Sequence, residues 1–278
     1  MASMTAAKIY QNAPIVLVSF EIELQTLGPI EQEIFAQIGV ILKDTLPERF
    51  EMKGHHFAFD PSKEKEPNFE ELTSPRWSSR DRRTHCSIFS SPINPPGTFE
   101  TSCVFETTNY KGYQSLRELT SKVMAIVFTS SKVQKVNRMG IRYLDEIRAP
   151  LDAEGTVKWS DWVAKSLLQE LPELSRLLLE NGVRQTAVAY QIGSDAFLRL
   201  RYGASEGYEF SGSENFKRLT PNPGPYFLLD IAVDQNVQRQ LAESAMLDLM
   251  DEMHKPVREV FESLITEKLR KEVLENGS

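Results

Sequence analysis

Three of the four histidines in this sequence fall in one region, with His55 and His56 adjacent and His85 further along. Imidazole nitrogens bind metal ions and exchange protons near neutral pH, so these residues are candidate metal ligands or an acid and a base. Neighbouring residues on a strand point to opposite faces, so His55 and His56 cannot both face one metal ion without a bulge. We therefore expect no metal site here. An enzyme of unrecognised type that uses His55, His56 or His85 stays as an alternative.

Residues 76–83 concentrate four arginines, Arg76, Arg80, Arg82 and Arg83, around Trp77 in an otherwise acidic protein. Guanidinium groups bind phosphate and carboxylate through two parallel hydrogen bonds and stack on bases. The segment is therefore the strongest candidate for contact with an anionic ligand or a nucleic acid. The competing interpretation is a solvated loop that pairs with the acidic residues before it, which are Glu64, Glu66, Glu70 and Glu71.

A second basic candidate is the strand that contains Arg138 and Arg142. Strand alternation places both arginines on one face together with Gly140, where a concave surface would hold a carboxylate or a phosphate. The competing interpretation is a flat outer sheet face on which these arginines pair with Glu21 and Glu23 of the first strand.

Catalytic patterns are weaker. The carboxylate pairs Asp145-Glu146 and Asp251-Glu252 are adjacent in sequence, and neighbours diverge on both strands and helices. Ser194 lies in a Gly-Ser-Asp turn without the frame of a nucleophile elbow, and no glycine cluster has the arrangement of a phosphate loop. We expect no catalytic residue, no cofactor and a protein that is not an enzyme.

Composition sets the remaining limits. A chain of 278 residues that is 41% hydrophobic and 26% charged can bury a large core, and we expect a cytoplasmic protein without a membrane span. The net charge of −7 argues against general attraction to nucleic acid or anionic membranes. Cys86 and Cys103 are too few for a disulfide framework, and we expect two partly buried thiols.

Hydrophobic periodicity predicts an α+β fold with antiparallel or mixed sheets packed by helices. In residues 1–150 it predicts strands at 14–24, 50–59, 84–90, 101–109 and 136–147, helices at 30–46 and 113–128, and a long connection at 60–77. In residues 151–278 it predicts helices at 159–171 and 172–181, a meander of strands at 183–191, 196–202 and 226–233, and a long terminal helix at 237–274 kinked at Pro256. Residues 1–150 are thus predicted to form an N-terminal α+β half and residues 151–278 a C-terminal α+β half. The two halves either arose by duplication or form one intimately packed unit.

Three short motifs carry a resemblance. They are Tyr10-Gln11-Asn12-Ala13-Pro14-Ile15 before the first strand, Arg138-Met139-Gly140-Ile141-Arg142-Tyr143-Leu144, and His254 followed by Phe261-Glu262 and Ile265-Thr266. With them the chain resembles an uncharacterised, sporadically distributed bacterial protein family of about this length. That family has no established activity, so the resemblance assigns no role to any residue. Its patchy distribution implies a defence or toxin-neutralising context.

The sequence thus favours a non-catalytic protein-binding or interaction module. We expect it to act on a protein partner or on a second copy, through the sheet-face arginines or the methionine-rich terminal helix. The first alternative is a nucleic-acid or nucleotide-binding protein that uses residues 76–83.

Overall fold

The computed structural model describes residues 10–58, 68–130, 132–169 and 185–275, without the side chains of residues 54–58 and 68–72. In this part of the chain one antiparallel sheet of nine strands carries the fold, in the order β2-β3-β4-β5-β1-β6-β9-β8-β7. The strands are β1 (Ile15–Leu27), β2 (Glu48–Ala58), β3 (Asn68–Ser78), β4 (Thr84–Ile93), β5 (Thr98–Thr107), β6 (Val133–Ile147), β7 (Thr186–Gln191), β8 (Ala196–Gly207) and β9 (Gly224–Arg239). The α+β class predicted from the sequence is confirmed.

The helices are α1 (Gln32–Leu42), α2 (Tyr113–Val127), α3 (Glu243–Leu264) and the short α4 (Glu267–Leu269), followed by a π-helical turn at Arg270–Leu274. The first three pack on one face of the sheet because each has an apolar stripe, and strand β1 alternates to match. Val18, Phe20, Ile22 and Leu24 are fully buried in the same core cluster as the apolar residues of these helices. The intervening residues of β1 lie on the opposite face.

The predicted connection at 60–77 is wrong in its second part, because residues 68–78 form strand β3. This strand pairs along its whole length with β2, and its last three residues pair with β4. Pro75 and the mixed charges of the segment hide the strand from periodicity. Residues 59–67 lie outside the described part of the chain.

The predicted terminal helix at 237–274 is also wrong in its bounds. Its first residues belong to β9, which runs to Arg239, and helix α3 ends at Leu264. There Ile265 leaves the helix to bridge to Val163, and Thr266 caps the next turn by accepting from the amide of Leu269. The methionine stripe is core, since Met246 and Met250 are fully buried. This agrees with the core position that helical spacing predicts for these methionines, rather than with the alternative of an interaction surface.

The segment predicted as a helix at 159–171 contains two short 3-10 helices instead, Trp159–Asp161 and Lys165–Leu168. The indole of Trp162 and the side chain of Val163 pack into the main core between them. The helix predicted at 172–181 lies outside the described residues. The antiparallel meander after it is confirmed as β7, β8 and β9.

The sheet is continuous at residue 150, because β6 pairs with β1 on one side and with β9 on the other. The division into residues 1–150 and 151–278 stays a prediction. No helix in the described ranges is both long enough and apolar enough to cross a membrane.

The three motifs behind the family resemblance contact one another. The Tyr10 hydroxyl donates to both carboxylate oxygens of Glu262, at 2.9 and 3.0 Å, and the Tyr143 hydroxyl lies 3.3 Å from Nδ1 of His254. The Thr266 hydroxyl donates to the carbonyl of Asp161 at 2.8 Å. These residues therefore have a shared structural role, which is to hold α3 and the chain after it against β6 and the residues before β1.

Candidate functional site

Arg138 lies on the sheet face away from the helices, where three carboxylates surround its guanidinium. Nε donates to Glu23 at 2.9 Å, Nη2 to Glu21 at 2.8 Å and Nη1 to Asp234 at 2.6 Å. The hydrogen bond that Arg138 donates to Glu23, together with the charges of Glu23, Glu21 and Asp234, raises the pKa of Arg138 against the effect of burial. Burial raises the pKa of Glu21 against the opposing effect of Arg138. The arginine is therefore already paired.

Arg142 is engaged in the same way four residues further along β6. It donates from Nε and Nη2 to the two carboxylate oxygens of Asp230, at 2.7 and 2.8 Å, and Arg201 donates to the same carboxylate from β8 at 3.1 Å. Arg199 donates to Asp234 at 2.7 Å. Alternating acid and base across the strands thus neutralise this face, as the competing interpretation of the sequence expected. A role for Arg138 or Arg142 in ligand binding stays a prediction.

Three of the four arginines in residues 76–83 also bind within the protein. Arg76 donates to the Ser87 hydroxyl at 2.9 Å and lies 3.7 Å from Glu106. Arg83 donates to the carbonyl of Thr108 at 2.9 Å. Arg82 has a left-handed backbone with φ of 57°, and its guanidinium lies 3.5 Å from Glu48 and donates to the carbonyl of Glu214. The side chains of Glu70 and Glu71, two of the partners considered from the sequence, lie outside the described part, as do Glu64 and Glu66.

Arg80 differs from these three, because it is exposed at the tip of the β3–β4 turn. The Ser79 hydroxyl oxygen accepts from the amides of Arg83 and Thr84, at 3.1 and 3.0 Å, and a carboxylate oxygen of Asp81 accepts from the amide of Arg83 at 3.1 Å. These bonds fix the turn. The Ser79 hydroxyl also donates to Asp81 at 2.5 Å, and this bond, the Arg83 amide and the charges of Arg83 and Lys111 lower the pKa of Asp81 against the effect of its own burial. The turn therefore presents Arg80 on a defined backbone.

Arg80 lines a cleft of about 800 Å³ that we call the α2 cleft. The cleft lies between the C-terminal end of α1, the β3–β4 turn and the first turns of α2. The residues that line it are Lys43, Asp44, Thr45, Leu46, Pro47, Ser79, Arg80, Asp81, Thr84, Thr107, Asn109, Tyr110, Lys111, Gly112, Ser115, Leu116, Glu118, Leu119 and Lys122. Its volume is in the range of small-molecule sites. Buried Leu46 and Leu116 supply an apolar floor.

Four of the lining residues are exposed cations, Lys43, Arg80, Lys111 and Lys122. Within the described ranges none of the four forms an ion pair, in contrast to the arginines of the sheet face. Three carboxylates share the cleft. Asp81 is bound into its own turn, and Glu118 accepts from the side chain of Gln114 at 3.0 Å. Asp44 is exposed, and the charge of Lys111 helps to lower the pKa of Asp81. The cleft therefore carries four cations against three carboxylates.

The first turn of α2 adds to this positive character. Its N-cap is Gly112, with φ of 104° and no capping side chain, so the first amides of the helix have no side-chain acceptor. Unpaired amides and the helix dipole make the N-terminus of a helix attractive to anions. Lys111 precedes the N-cap of this helix directly, and Arg80 lines the cleft from the β3–β4 turn.

The strand positions separate His55 and His56 from His85. Strand β3 separates β2, which carries His55 and His56, from β4, which carries His85. Ser78 pairs with both Glu48 and His85, so His55 is seven residues along β2 from the level of His85, about 23 Å at 3.3 Å per residue. His85 is fully buried with Nε2 3.1 Å from the carbonyl of Arg82, and burial lowers its pKa to about 4.

Metal binding finds no support elsewhere in the described part, which holds no cluster of three or more potential ligands. Cys86 and Cys103 are separate buried thiols whose pKa values are raised by burial. The side chains of His55 and His56 lie outside the described part of the structure.

Asp145 and Glu146 diverge as expected for neighbours on a strand. Glu146 lies under the loop between β8 and β9, and its carboxylate accepts from Arg218 at 2.7 and 2.8 Å and from Arg148 at 2.9 Å. Asp145 is buried on the other side of β6, where its Oδ1 has no hydrogen-bond partner in the described structure. The pair therefore has no shared catalytic geometry.

No known family model matches the sequence, and no curated protein is significantly similar to it. The geometry of the site is therefore the basis for a functional conclusion.

The arginine cluster at residues 76–83 predicted Arg80. Lys43, Lys111 and Lys122 were not predicted, because they reach the cleft from separate segments. The only local signal was a lysine and a glycine directly before the first residue of α2.

Proposed function

We propose that this protein binds a nucleotide or a similar phosphate-bearing small molecule in the α2 cleft. The observation that carries the proposal is the group of four cations without ion pairs around a cleft of about 800 Å³. In a protein with a net charge of −7, most other basic groups described above are neutralised by carboxylates or used in backbone contacts. Cations left available at one concave place indicate an anionic ligand.

A nucleotide fits better than a nucleic-acid strand for two reasons. The cations surround one cleft of small-molecule size, whereas proteins that bind strands align basic residues along a groove or stripe. The floor of the cleft also has apolar area at Leu46, Leu116 and Leu119, beside the half-buried ring of Tyr110, against which a base would pack. Phosphates would lie near Arg80, Lys111 and the first amides of α2.

The test is calorimetric titration with ATP, GTP and inorganic pyrophosphate at low salt. A charge-assisted hydrogen bond contributes about 1.5–3 kcal/mol, so Arg80→Ala or Lys111→Ala should weaken binding about tenfold to a hundredfold. Lys158→Ala, which removes an exposed cation that does not line the cleft, is the control and should bind like the wild type.

Arg142→Ala separates this proposal from the prediction that the sheet-face arginines bind the ligand. It should leave the affinity unchanged. The proposal is wrong if none of the three probes binds, or if Arg80→Ala and Lys111→Ala bind as tightly as the wild type.

A protein-interaction role is the second candidate, and it was the first from the sequence. What supports it now is a group of exposed apolar side chains at one end of the sheet, Tyr190, Ile192 and Phe197, which are 55%, 47% and 38% exposed. The membership in a sporadic bacterial family, the cytoplasmic location and the defence or toxin-neutralising context stay proposals that rest on the sequence.

We also propose that the chain descends from a duplication in which the second copy begins at β6, before residue 150. Each copy begins with a central strand, β1 or β6, and leads, in the first copy through α1, into an antiparallel meander whose last strand, β5 or β9, pairs with the first. Each then ends in a helix that packs on the same face, α2 or α3. The central strands pair antiparallel, which is the arrangement expected of two copies related by a pseudo-twofold axis.

A further inference from the structure

Strand β7 ends the described sheet opposite to β2, and its side chains are unusually exposed. Five of its six residues are exposed, and Val188 is half-buried. The apolar group Tyr190, Ile192 and Phe197 lies on this strand, directly after it and on β8 opposite Gln191. Exposed apolar residues gathered at one edge of a sheet mark an interaction surface more often than residues scattered singly.

Within the described ranges, the outer side of β7 carries backbone hydrogen-bonding groups without a partner. The amide of Ile192 donates to the carbonyl of Ala196 at 2.9 Å, which assigns the hydrogen-bonded positions of the β7–β8 pair to Ile192, Tyr190 and Val188. In an antiparallel pair these positions alternate, so Ala187, Ala189 and Gln191 direct their amides and carbonyls away from β8.

The usual protections of a sheet edge are missing from this strand. Residues 185–192 contain no charged residue and no proline, and β7 pairs with β8 without a register shift. Natural proteins protect an exposed edge with lysine, proline or a bulge. An edge without them is suited to pairing with another strand.

The sequence of β7 is complementary to itself in one antiparallel register. With a twofold axis through Ala189, that residue lies opposite its own copy, Val188 lies opposite Tyr190 of the second copy, and Ala187 lies opposite Gln191 of the second copy. Pairs of β-branched and aromatic residues are favourable across strands, and no like charges meet. Ala187 and Ala189, whose amides and carbonyls point away from β8, have small side chains at the centre of this register.

We propose that two copies of this chain associate through antiparallel pairing of their β7 strands about a twofold axis at Ala189. The pairing joins the two sheets into one continuous sheet and covers Tyr190 and Ile192. A second copy is a better occupant than an unrelated strand because each copy offers the complement of its own edge. Residues 185–192 are also uncharged, so no like charges meet along the paired strands.

The test is the mass of the full chain in solution, measured by light scattering and native mass spectrometry over a range of concentrations. We expect the wild type to be a dimer. Ala189→Lys and Ala189→Glu should each be a monomer, since like charges then meet on the axis, and an equimolar mixture of the two should form the heterodimer. Ala153→Lys, in an exposed turn, is the matched control and should stay a dimer.

A second variant tests the register if either charged variant fails to fold. Residues opposite each other at a hydrogen-bonded position have Cα atoms about 5.5 Å apart, within disulfide range. Ala189→Cys should therefore form a covalent dimer under mild oxidation, while Ala153→Cys should not, and the native thiols are buried. A monomeric wild type, a dimer unaffected by Ala189→Lys, or a mixture that stays monomeric would overturn the proposal.

Discussion

Two adjacent carboxylic acids, Asp145 and Glu146, show how strongly one strand can divide two environments. Burial alone would raise the pKa of Glu146, but the hydrogen bonds from Arg218 and Arg148 bring it below its usual value of 4.5. Asp145 has no such partner, and burial followed by the charge of Asp230 raises its pKa to about 8. One acid is therefore held ionised and the other protonated at neutral pH.

Glu146→Gln should destabilise the protein by about 3–5 kcal/mol, because it leaves the guanidinium of Arg218 buried without a counter-charge. The side chains of Glu146 and Arg218 are 0% and 5% exposed. Urea unfolding at pH 7 measures the loss, and Glu154→Gln at an exposed position is the control.

The ion pair of Glu146 and Arg218 also makes the free energy of unfolding depend on pH in acid. Because the folded pKa of Glu146 lies below the unfolded value, its stabilisation is present above about pH 4.5 and is lost as the pH falls through the folded pKa. The wild type and Glu146→Gln should therefore converge in acid. A loss below about 1 kcal/mol at pH 7 would show that the buried pair is not what holds this loop.

Asp145→Asn should stabilise the protein at neutral and mildly alkaline pH. The folded pKa of about 8 is above the unfolded value of 3.8, so the proton's contribution is complete below pH 3.8 and is lost as the pH rises towards 8. Asparagine copies the neutral form at every pH. The variant should gain about 2–4 kcal/mol over the wild type by pH 8, with little gain near pH 4.

Thermal unfolding at pH 4, 6 and 8 measures this difference, and Asp195→Asn at an exposed position is the control. If the unfolding temperatures of Asp145→Asn and the wild type changed in parallel with pH, the carboxyl of Asp145 would be ionised in the folded protein. The expected sign is then wrong.

Elements with one apolar face could be predicted from the sequence. Strand β1 and helices α1 and α2 were found close to their bounds, because burial on a single side imposes a period on the residues. Strand β3 could not be predicted. It lies between two other strands, and its charged residues and Pro75 break the alternation of apolar and polar residues. The break after α3 depends on the bridge from Ile265 to Val163, which is a contact about a hundred residues away in sequence.

The candidate site divides in the same way. Arg80 was found because four arginines cluster locally, but nothing in residues 76–83 tells which arginine stays unpaired. That depends on Glu106, Glu48 and the carbonyl of Thr108, which other strands and loops bring to the segment. The three lysines of the α2 cleft are single residues in separate segments. Only the packing of α1 and α2 brings them together.

At the scale of the whole molecule, one core joins residues from both predicted halves. A single buried cluster contains Val18 of β1, Val123 of α2, Ile231 of β9 and Met250 of α3. Strand β6, with 15 residues, has β1 on one side and β9 on the other. Separating the chain at residue 150 would expose one edge of β6 and the face that α3 covers, so neither half can bury its apolar surface alone.

We therefore expect the chain to behave as one cooperative unit even if its halves descend from a duplication. A protease site inserted in the exposed turn at 152–156 allows the backbone to be cut where Asp152 and Thr156 hydrogen-bond at 2.8 Å and no strand is interrupted. The cut halves should elute together at the full mass and unfold in one transition. An NMR spectrum of residues 1–150 expressed alone should lack dispersed amide signals, because half of the core is missing. A folded, soluble fragment of residues 1–150 would instead establish two autonomous domains and contradict this prediction.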